Sequence, residues 1–259
     1  VITPKGSDLL TNGTTYSMTD TLAKDHCYIY QYDNEDRITE RRLPGCEPSC
    51  YNYDNNGRLT TYIDATLNNL GIRQSYSYDA LNRISRVSYL SNSSTEEHVQ
   101  HLSHYDDYNA LPSTLAYNAV SGVVTTSDRV PSIKGKLAYE RIFEVYDAEN
   151  TTTPKELTRA YYYDKRDRVI QTVTQYPDGI LCRTSVKYDY VGNPLVTLEQ
   201  YAYGNKTLTI CTDRTFDERS RQLAEQTTIN GTVVSNATFS YDELGRMKRL
   251  ELGDNVAIN

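Results

Sequence analysis

The sequence predicts an all-β chain: serial antiparallel β-hairpins joined into one long curved or spiralling sheet. Three observations predict it. A short motif recurs along the chain: Tyr-Asp, two variable residues, a turn residue, Arg and an aliphatic residue. Upstream of the motif, residues alternate with the period of a strand, as in Tyr28-Ile29-Tyr30-Gln31-Tyr32 and Tyr76-Ser77-Tyr78. The composition is one of strands and turns. The 259 residues include 24 Tyr but only 3 Phe, 2 Met and no Trp, and hydrophobic residues reach 38% only with Tyr counted. Helical periodicity is sustained nowhere, and the best helix candidate is the stretch from Glu96 to Ser103.

The hairpins follow one another in order. The first copies are Tyr32-Asp33 with Arg37, Tyr53-Asp54 with Gly57 and Arg58, and Tyr78-Asp79 with Arg83. Later copies are Tyr163-Asp164 with Arg168, Tyr188-Asp189 with Gly192, Phe216-Asp217 with Arg221, and Tyr241-Asp242 with Gly245 and Arg246. Three copies are weaker, those at Tyr105-Asp106, Tyr188-Asp189 and Phe216-Asp217, and a degenerate one starts at Tyr117-Asn118. Successive Asp positions from Asp33 to Asp242 are separated by 21, 25, 27, 58, 25, 28 and 25 residues, so the long gap is about two units wide. Repetition at this spacing is the mark of an array in which each unit stacks on its neighbours.

Each part of the motif has a physical role. The Asp carboxylate opens a turn by accepting from backbone N–H groups two residues on. Three positions after it stands Asp36, Gly57, Asn82, Asn109, Asp167, Gly192, Ser220 or Gly245, and Gly, Asn and Asp tolerate a left-handed backbone. The Arg and the aliphatic residue then begin the return strand. A lone hairpin is unstable in water, so serial hairpins must pair edge to edge. Tyr fills cross-strand contacts while its hydroxyl stays satisfied on a half-wet face.

These residues resemble the YD-repeat, or Rhs (rearrangement hotspot), family, over about Tyr28 to Leu252. Stretches such as Leu43-Pro44-Gly45-Cys46 and Tyr188-Asp189-Tyr190-Val191-Gly192-Asn193 are similar to long Rhs-type proteins of Bacteroidetes. The resemblance implies a sheet ribbon that spirals into a hollow shell. In bacterial polymorphic toxins and insecticidal toxin complexes such a shell encloses a C-terminal toxin. Teneurins use the repeat for adhesion at the cell surface. The expected location is therefore secreted or cell-surface. The expected partners are the remainder of the parent polypeptide, with further repeats and a C-terminal toxin domain, and carbohydrate as a further candidate. The sequence departs from the family in lacking the Asp-Pro of the self-cleaving shell signature.

The expected organisation is a lead-in over 1–27, a repeat domain over 28–252 with eight to nine hairpins, and the start of a truncated repeat over 253–259. The chain starts at Val1 and carries no signal-peptide pattern, so it reads as an excised piece of something longer. A net charge of −7 and a pI near 5.2 disfavour nucleic acid and anionic membrane surfaces as partners. The longest uncharged run, Tyr108 to Ser127, is rich in Asn, Ser and Thr and would not span a bilayer, so no membrane insertion is expected.

Catalytic chemistry is not expected. The Asp and Arg recur in every unit, whereas a catalytic constellation is normally unique. No Gly-x-Ser-x-Gly elbow, phosphate loop or His-Glu-x-x-His occurs, and no cofactor is implied. His98, His101 and His104 would gather on one side of a helix as metal ligands, but on a strand residues three apart point to opposite faces. A strand leading into the next motif is the simpler reading. His26 and Cys27 with Cys46 and Cys50 form no standard zinc spacing. A local Cys46–Cys50 disulfide and reduced thiols both remain open.

Overall fold

The computed structural model describes residues 25–93, 97–144, 155–253 and 256–258. It is all-β, and the strands pair serially as antiparallel hairpins. The described residues fall into two compact units, divided between Leu102 and Ser103.

In the first unit the order is β1 (Ile29–Tyr32), β2 (Ile38–Arg42), β3 (Ser49–Tyr53), β4 (Leu59–Ile63), β5 (Ile72–Tyr78), β6 (Ile84–Ser91) and the start of β7 (Glu97–Asp106). Each strand pairs with the next, from β1–β2 to β6–β7. One face of this ladder is aromatic: Tyr51 stands opposite Tyr62, and their ring centroids are 5.3 Å apart. The short helix α1 (Ala65–Asn69) lies between β4 and β5. Asp64 caps it by accepting from Leu67 N at 2.9 Å, and Gly71 ends it with φ +68°. One capped turn is too short to register as a hydrophobic period.

The expected helix near Glu96 to Ser103 is not formed, since from Glu97 on this stretch is β7. Pairing with β6 overrides whatever local helical preference it has. The β6–β7 register also shifts between Val87 and Ser88, inserting one extra residue. His98 and His101 therefore stand opposite Tyr89 and Val87, two residues of one face. Strict alternation would have separated them.

The second unit holds the end of β7, then β8 (Ile133–Phe143), β9 (Glu156–Tyr163), β10 (Val169–Gln175), β11 (Leu181–Tyr188), β12 (Pro194–Tyr203), β13 (Lys206–Phe216), β14 (Gln222–Ile229), β15 (Thr232–Tyr241), β16 (Met247–Leu252) and β17 (Val256–Ile258). Each strand from β8 to β17 pairs with the next. The buried core sits here: Leu115, Ile133, Ala138, Tyr139, Ala160, Tyr162 and Val173. The register places Tyr139, Ala160, Val173 and Arg183 in one row, and Tyr162, Gln171, Ser185 and Leu198 in the adjacent row of the same face. Residues 107–131, between β7 and β8, cover this face with one 3-10 turn (Ser113–Leu115) and no long strand. We call this segment the strap.

The Tyr-Asp turns share one backbone form. Asp33 N donates to Arg37 O at 2.9 Å and Asp36 N to Asp33 O at 3.2 Å, and the same ring recurs at Asp54, Asp79, Asp164, Asp217 and Asp242. The third residue after each Asp is left-handed: Asp36, Gly57, Asn82, Asp167, Gly192, Ser220 and Gly245 all have positive φ. Asn109 departs from the expectation. The left-handed residue there is Ala110, because the turn has moved one position and Asp107, not Asp106, accepts from Asn109 N at 2.8 Å. On the opposite edge, reversals use unrelated turns such as Tyr176-Pro177-Asp178-Gly179 and Asn230-Gly231.

A left-handed residue with a side chain carries strain of about 1–2 kcal/mol. We therefore expect Ser220→Gly to raise the urea midpoint and Gly245→Val to lower it, each by a stability change of about 1 kcal/mol. Equal midpoints for both variants and the parent would contradict this account of the turn.

Candidate functional site

The repeated Asp and Arg build a clamp inside each turn. Asp54 Oδ1 accepts from Asn56 N and Arg58 N, each at 2.9 Å, and Asp54 Oδ2 accepts from Arg58 Nε at 2.7 Å. The pairs Asp33–Arg37, Asp79–Arg83, Asp164–Arg168, Asp217–Arg221 and Asp242–Arg246 repeat this geometry, with Nε–Oδ2 distances of 2.6–2.7 Å. At Asp189 the clamp is held by Gly192 N, Asn193 N and Asn193 Nδ2 instead. The N–H of the residue four positions on holds the Asp33, Asp54, Asp79, Asp217 and Asp242 carboxyls below the usual carboxylate range. For Asp164 and Asp189 burial works the other way, and the hydrogen bonds outweigh it.

Four clamps also reach the next turn. The Arg37 guanidinium lies over the Tyr53 ring at 4.9 Å, Arg58 over Tyr78 at 4.9 Å, Arg168 over Tyr188 at 4.7 Å and Arg221 over Tyr241 at 4.8 Å. The same Tyr returns a bond: Tyr53 Oη donates to Ile38 O at 2.9 Å, Tyr78 to Leu59 O at 2.8 Å, Tyr188 to Val169 O at 3.2 Å and Tyr241 to Gln222 O at 2.8 Å. Arg37 Nη1 further donates to Asp54 O, and Arg168 Nη1 to Asp189 O. Tyr32 begins the first described turn and is exposed. The motif residues thus form chains of contacts along one edge of each unit.

The long gap contains one motif split in two. Tyr105-Asp106 ends β7, and Gly135-Lys136-Leu137 opens the return strand. Gly135 N donates to Asp106 Oδ1 at 2.6 Å, as Gly192 N does to Asp189 Oδ1 at 2.7 Å. Lys136 takes the Arg place, with Nζ 5.8 Å from the Tyr163 ring centre and 2.8 Å from Asp167 Oδ1. Tyr163 Oη donates to Leu137 O at 2.8 Å, as the ladder requires. Residues 107–134, which run through the strap into the first residues of β8, are an insertion between the Asp and the Gly of one turn. The sequence reading missed this, and the signal for it was a Gly-Lys-Leu return strand with no Asp close before it. The Tyr117 copy is not a clamp: Val120 and Val124 form an isolated bridge around Gly122.

The strap is held mainly through its backbone. Tyr162 Oη donates to Leu115 O at 2.7 Å, Arg183 Nη1 to Ala116 O at 3.0 Å, and the Gln171 amide both donates to Asn118 O at 2.8 Å and accepts from Asn118 N at 3.0 Å. The Arg129 guanidinium sits among the rings of Tyr108, Tyr117 and Tyr162 at 5.1, 5.7 and 5.1 Å. Where residues 122–128 meet β10 and β11, a cleft of about 280 Å³ opens, lined by Val124, Ile170, Val186, Lys187 and the Asp164–Arg168 clamp.

The three histidines do not gather. His104 stacks on Tyr139 at 4.1 Å with an 8° interplanar angle, and its Nε2 is buried without a partner. Burial, together with the Arg141 cation, holds its imidazole below the ordinary histidine range, and Asp107 acts weakly in the other direction. Tyr139 Oη donates to Asn109 O at the start of the strap, and Arg141 is paired with Glu156 at 2.6 Å. His26, Cys27, Cys46 and Cys50 do not form a metal-binding cluster among the described residues, and all five cysteines are free thiols.

No family model matches the chain, and no curated protein matches it. Among solved structures it is similar to TcdB2-TccC3, at 14% identity and a TM-score of 0.36 over 89% of this chain and 13% of that one. It is also similar to TcdB2-TccC3-TEV, at 13% identity and a TM-score of 0.35 over 87% of this chain and 12% of that one. The chain spans about an eighth of the length of those proteins.

Two predictions follow from this geometry. In a double-mutant cycle, Arg168→Ala and Tyr188→Leu should show a coupling of about 1 kcal/mol in urea unfolding, and additivity would remove the clamp-to-ring contact from the ladder. For His104 the folded imidazole binds its proton less readily than the unfolded one. Its contribution is therefore complete above about pH 6.5 and declines as pH falls through that range. The Asp clamps lose theirs only at lower pH, below about 4. Between pH 7.5 and 5 the parent should lose thermal stability, and His104→Phe, which keeps the stack, should lose less. Parallel curves would exclude the role.

Proposed function

We propose that this chain is a non-enzymatic wall segment of a larger secreted or cell-surface YD-repeat protein of the Rhs type. It would enclose a C-terminal toxin or other cargo carried by the same polypeptide. One observation carries the reading: the Asp–Arg pairs that could serve chemistry are spent on the same clamp in six turns, and four of these clamps lie on the Tyr of the following turn. Such a ladder is a device for making rigid sheet of any length. Its action would be steric, separating what lies on one side from solvent and proteases. The parent polypeptide, expressed whole and treated with a nonspecific protease, should keep its non-repeat C-terminal region intact far longer than the same region expressed alone. Equal digestion rates would overturn the enclosing role.

A second reading, a carbohydrate- or protein-binding adhesion module, is favoured by exposed aromatics. Tyr30 and Tyr32 stack at 6.5 Å on one face of β1, and Tyr190 is 82% exposed. Calorimetric titration with cell-wall and host polysaccharides separates the two, since only the adhesion reading requires saturable binding.

A further inference from the structure

The split turn and the strap together suggest a site that the wall reading does not use. The ladder is complete without the strap. Gly135 closes onto Asp106, Lys136 reaches Asp167 and Tyr163 reaches Leu137, all outside residues 107–134. The strap is therefore an insertion whose two ends meet at one turn, and it lies across a sheet face whose strand-to-strand pairing runs without it.

The face reads the strap as a peptide. Tyr162, Arg183 and Gln171, on three different strands, bond the carbonyls of Leu115, Ala116 and Asn118, and Gln171 also takes the N–H of Asn118. These bonds go to main-chain atoms, which any sequence supplies. Gln171 and Tyr162 are among the most deeply buried residues, and Gln171 is braced by Ser185 Oγ at 2.9 Å. Side-chain selection rests on two aliphatic anchors, Leu115 and Val124, both buried, with Tyr117 half-buried edge-on against Tyr162 at 5.3 Å, while Ala116, Asn118 and Ala119 are exposed. Main-chain bonds for affinity with pockets for a few side chains is a general mode of extended-peptide recognition. Towards Gly122 the fit loosens. Lys187 Nζ is 3.4 Å from Gly122 O, and the cleft over Ile170 and Val186 is left open.

We propose that this face of β8–β11 is a binding groove for an extended peptide with bulky aliphatic anchors, occupied in cis by the strap. The strap is held at high local concentration by its two joined ends, so a peptide in trans competes only when the strap is weakened or removed.

The probe is a fluorescein-labelled synthetic peptide with the sequence of residues 112–124, followed by anisotropy. The receptor is the full chain in which residues 107–134 are replaced by Asn-Asn, a turn of the length found at Asp54. It should bind the peptide in the micromolar range, and the parent chain should bind at least about tenfold more weakly. A peptide with alanine in place of the Leu115 equivalent should also lose at least about tenfold. If the shortened chain keeps its far-UV spectrum and cooperative unfolding but does not bind, the groove is refuted. If it dimerises through the bared face instead, the face takes a second copy and the proposal fails. Should the shortened chain not fold, Leu115→Ala in the intact chain serves. It should raise peptide uptake about tenfold over the parent, and no increase overturns the inference.

Discussion

The structure depends on a carboxylate that faces two ways. In each turn the Asp satisfies backbone N–H groups with one oxygen and fixes the Arg Nε with the other. Fixing Nε in this way aims the flat guanidinium outward along the sheet edge, where the next Tyr ring receives it. A lysine would not be aimed in this way, because an ammonium has no plane and no second arm. The clamp therefore converts a local turn into a connection between turns. An exposed ion pair by itself adds little, so the pair matters through the geometry it imposes.

The exceptions support this reading. Asn193 replaces Arg in one turn, and the aromatic that should receive its side chain is Phe216 instead of Tyr. Both halves of one junction change together. Asn193 keeps the inner part of the clamp through Nδ2 and reaches Ser220 Oγ at 3.1 Å, but it has no cation to lay on a ring. Phe216 has no hydroxyl to return. At the split turn the substitution is Lys136, and the contact to Tyr163 is correspondingly longer, at 5.8 Å against 4.7–4.9 Å for the Arg copies. The ladder tolerates a weakened junction because each turn touches only its neighbours.

What the sequence made legible follows the same boundary between local and distant. The turns could be read because their logic spans seven residues: an Asp acceptor, a residue that accepts left-handed backbone, and an Arg. The strands could be read because Tyr alternates upstream. The strap could not. The hydrogen bonds that tie it to the sheet join residues 30 to 67 positions apart, and they go to backbone atoms that leave no signature in residue type. The bulge that brings His98 and His101 to one face, and the shift from Asp106 to Asp107, are likewise products of register. The arrangement into chains of contacts was implicit in the motif, yet nothing in one copy reveals that its Arg is meant for the next copy's Tyr.

The abundance of Tyr has one cause in both settings. A single sheet layer offers aromatic side chains a surface that is apolar along the ring and wet at its end. Phe would leave main-chain carbonyls at the turns without the hydroxyl donors that Tyr supplies. Tyr53, Tyr78, Tyr163, Tyr188 and Tyr241 use the hydroxyl to tie turn to turn. Tyr108, Tyr139 and Tyr162 use it to tie strap to sheet. An insertion into one turn could therefore be fastened down with the residue type already present, while the Asp, Gly and basic residue at its base kept the ladder intact. The entropic cost of closing a loop grows only slowly with its length, so a base closed by those three residues can carry an inserted segment of this size.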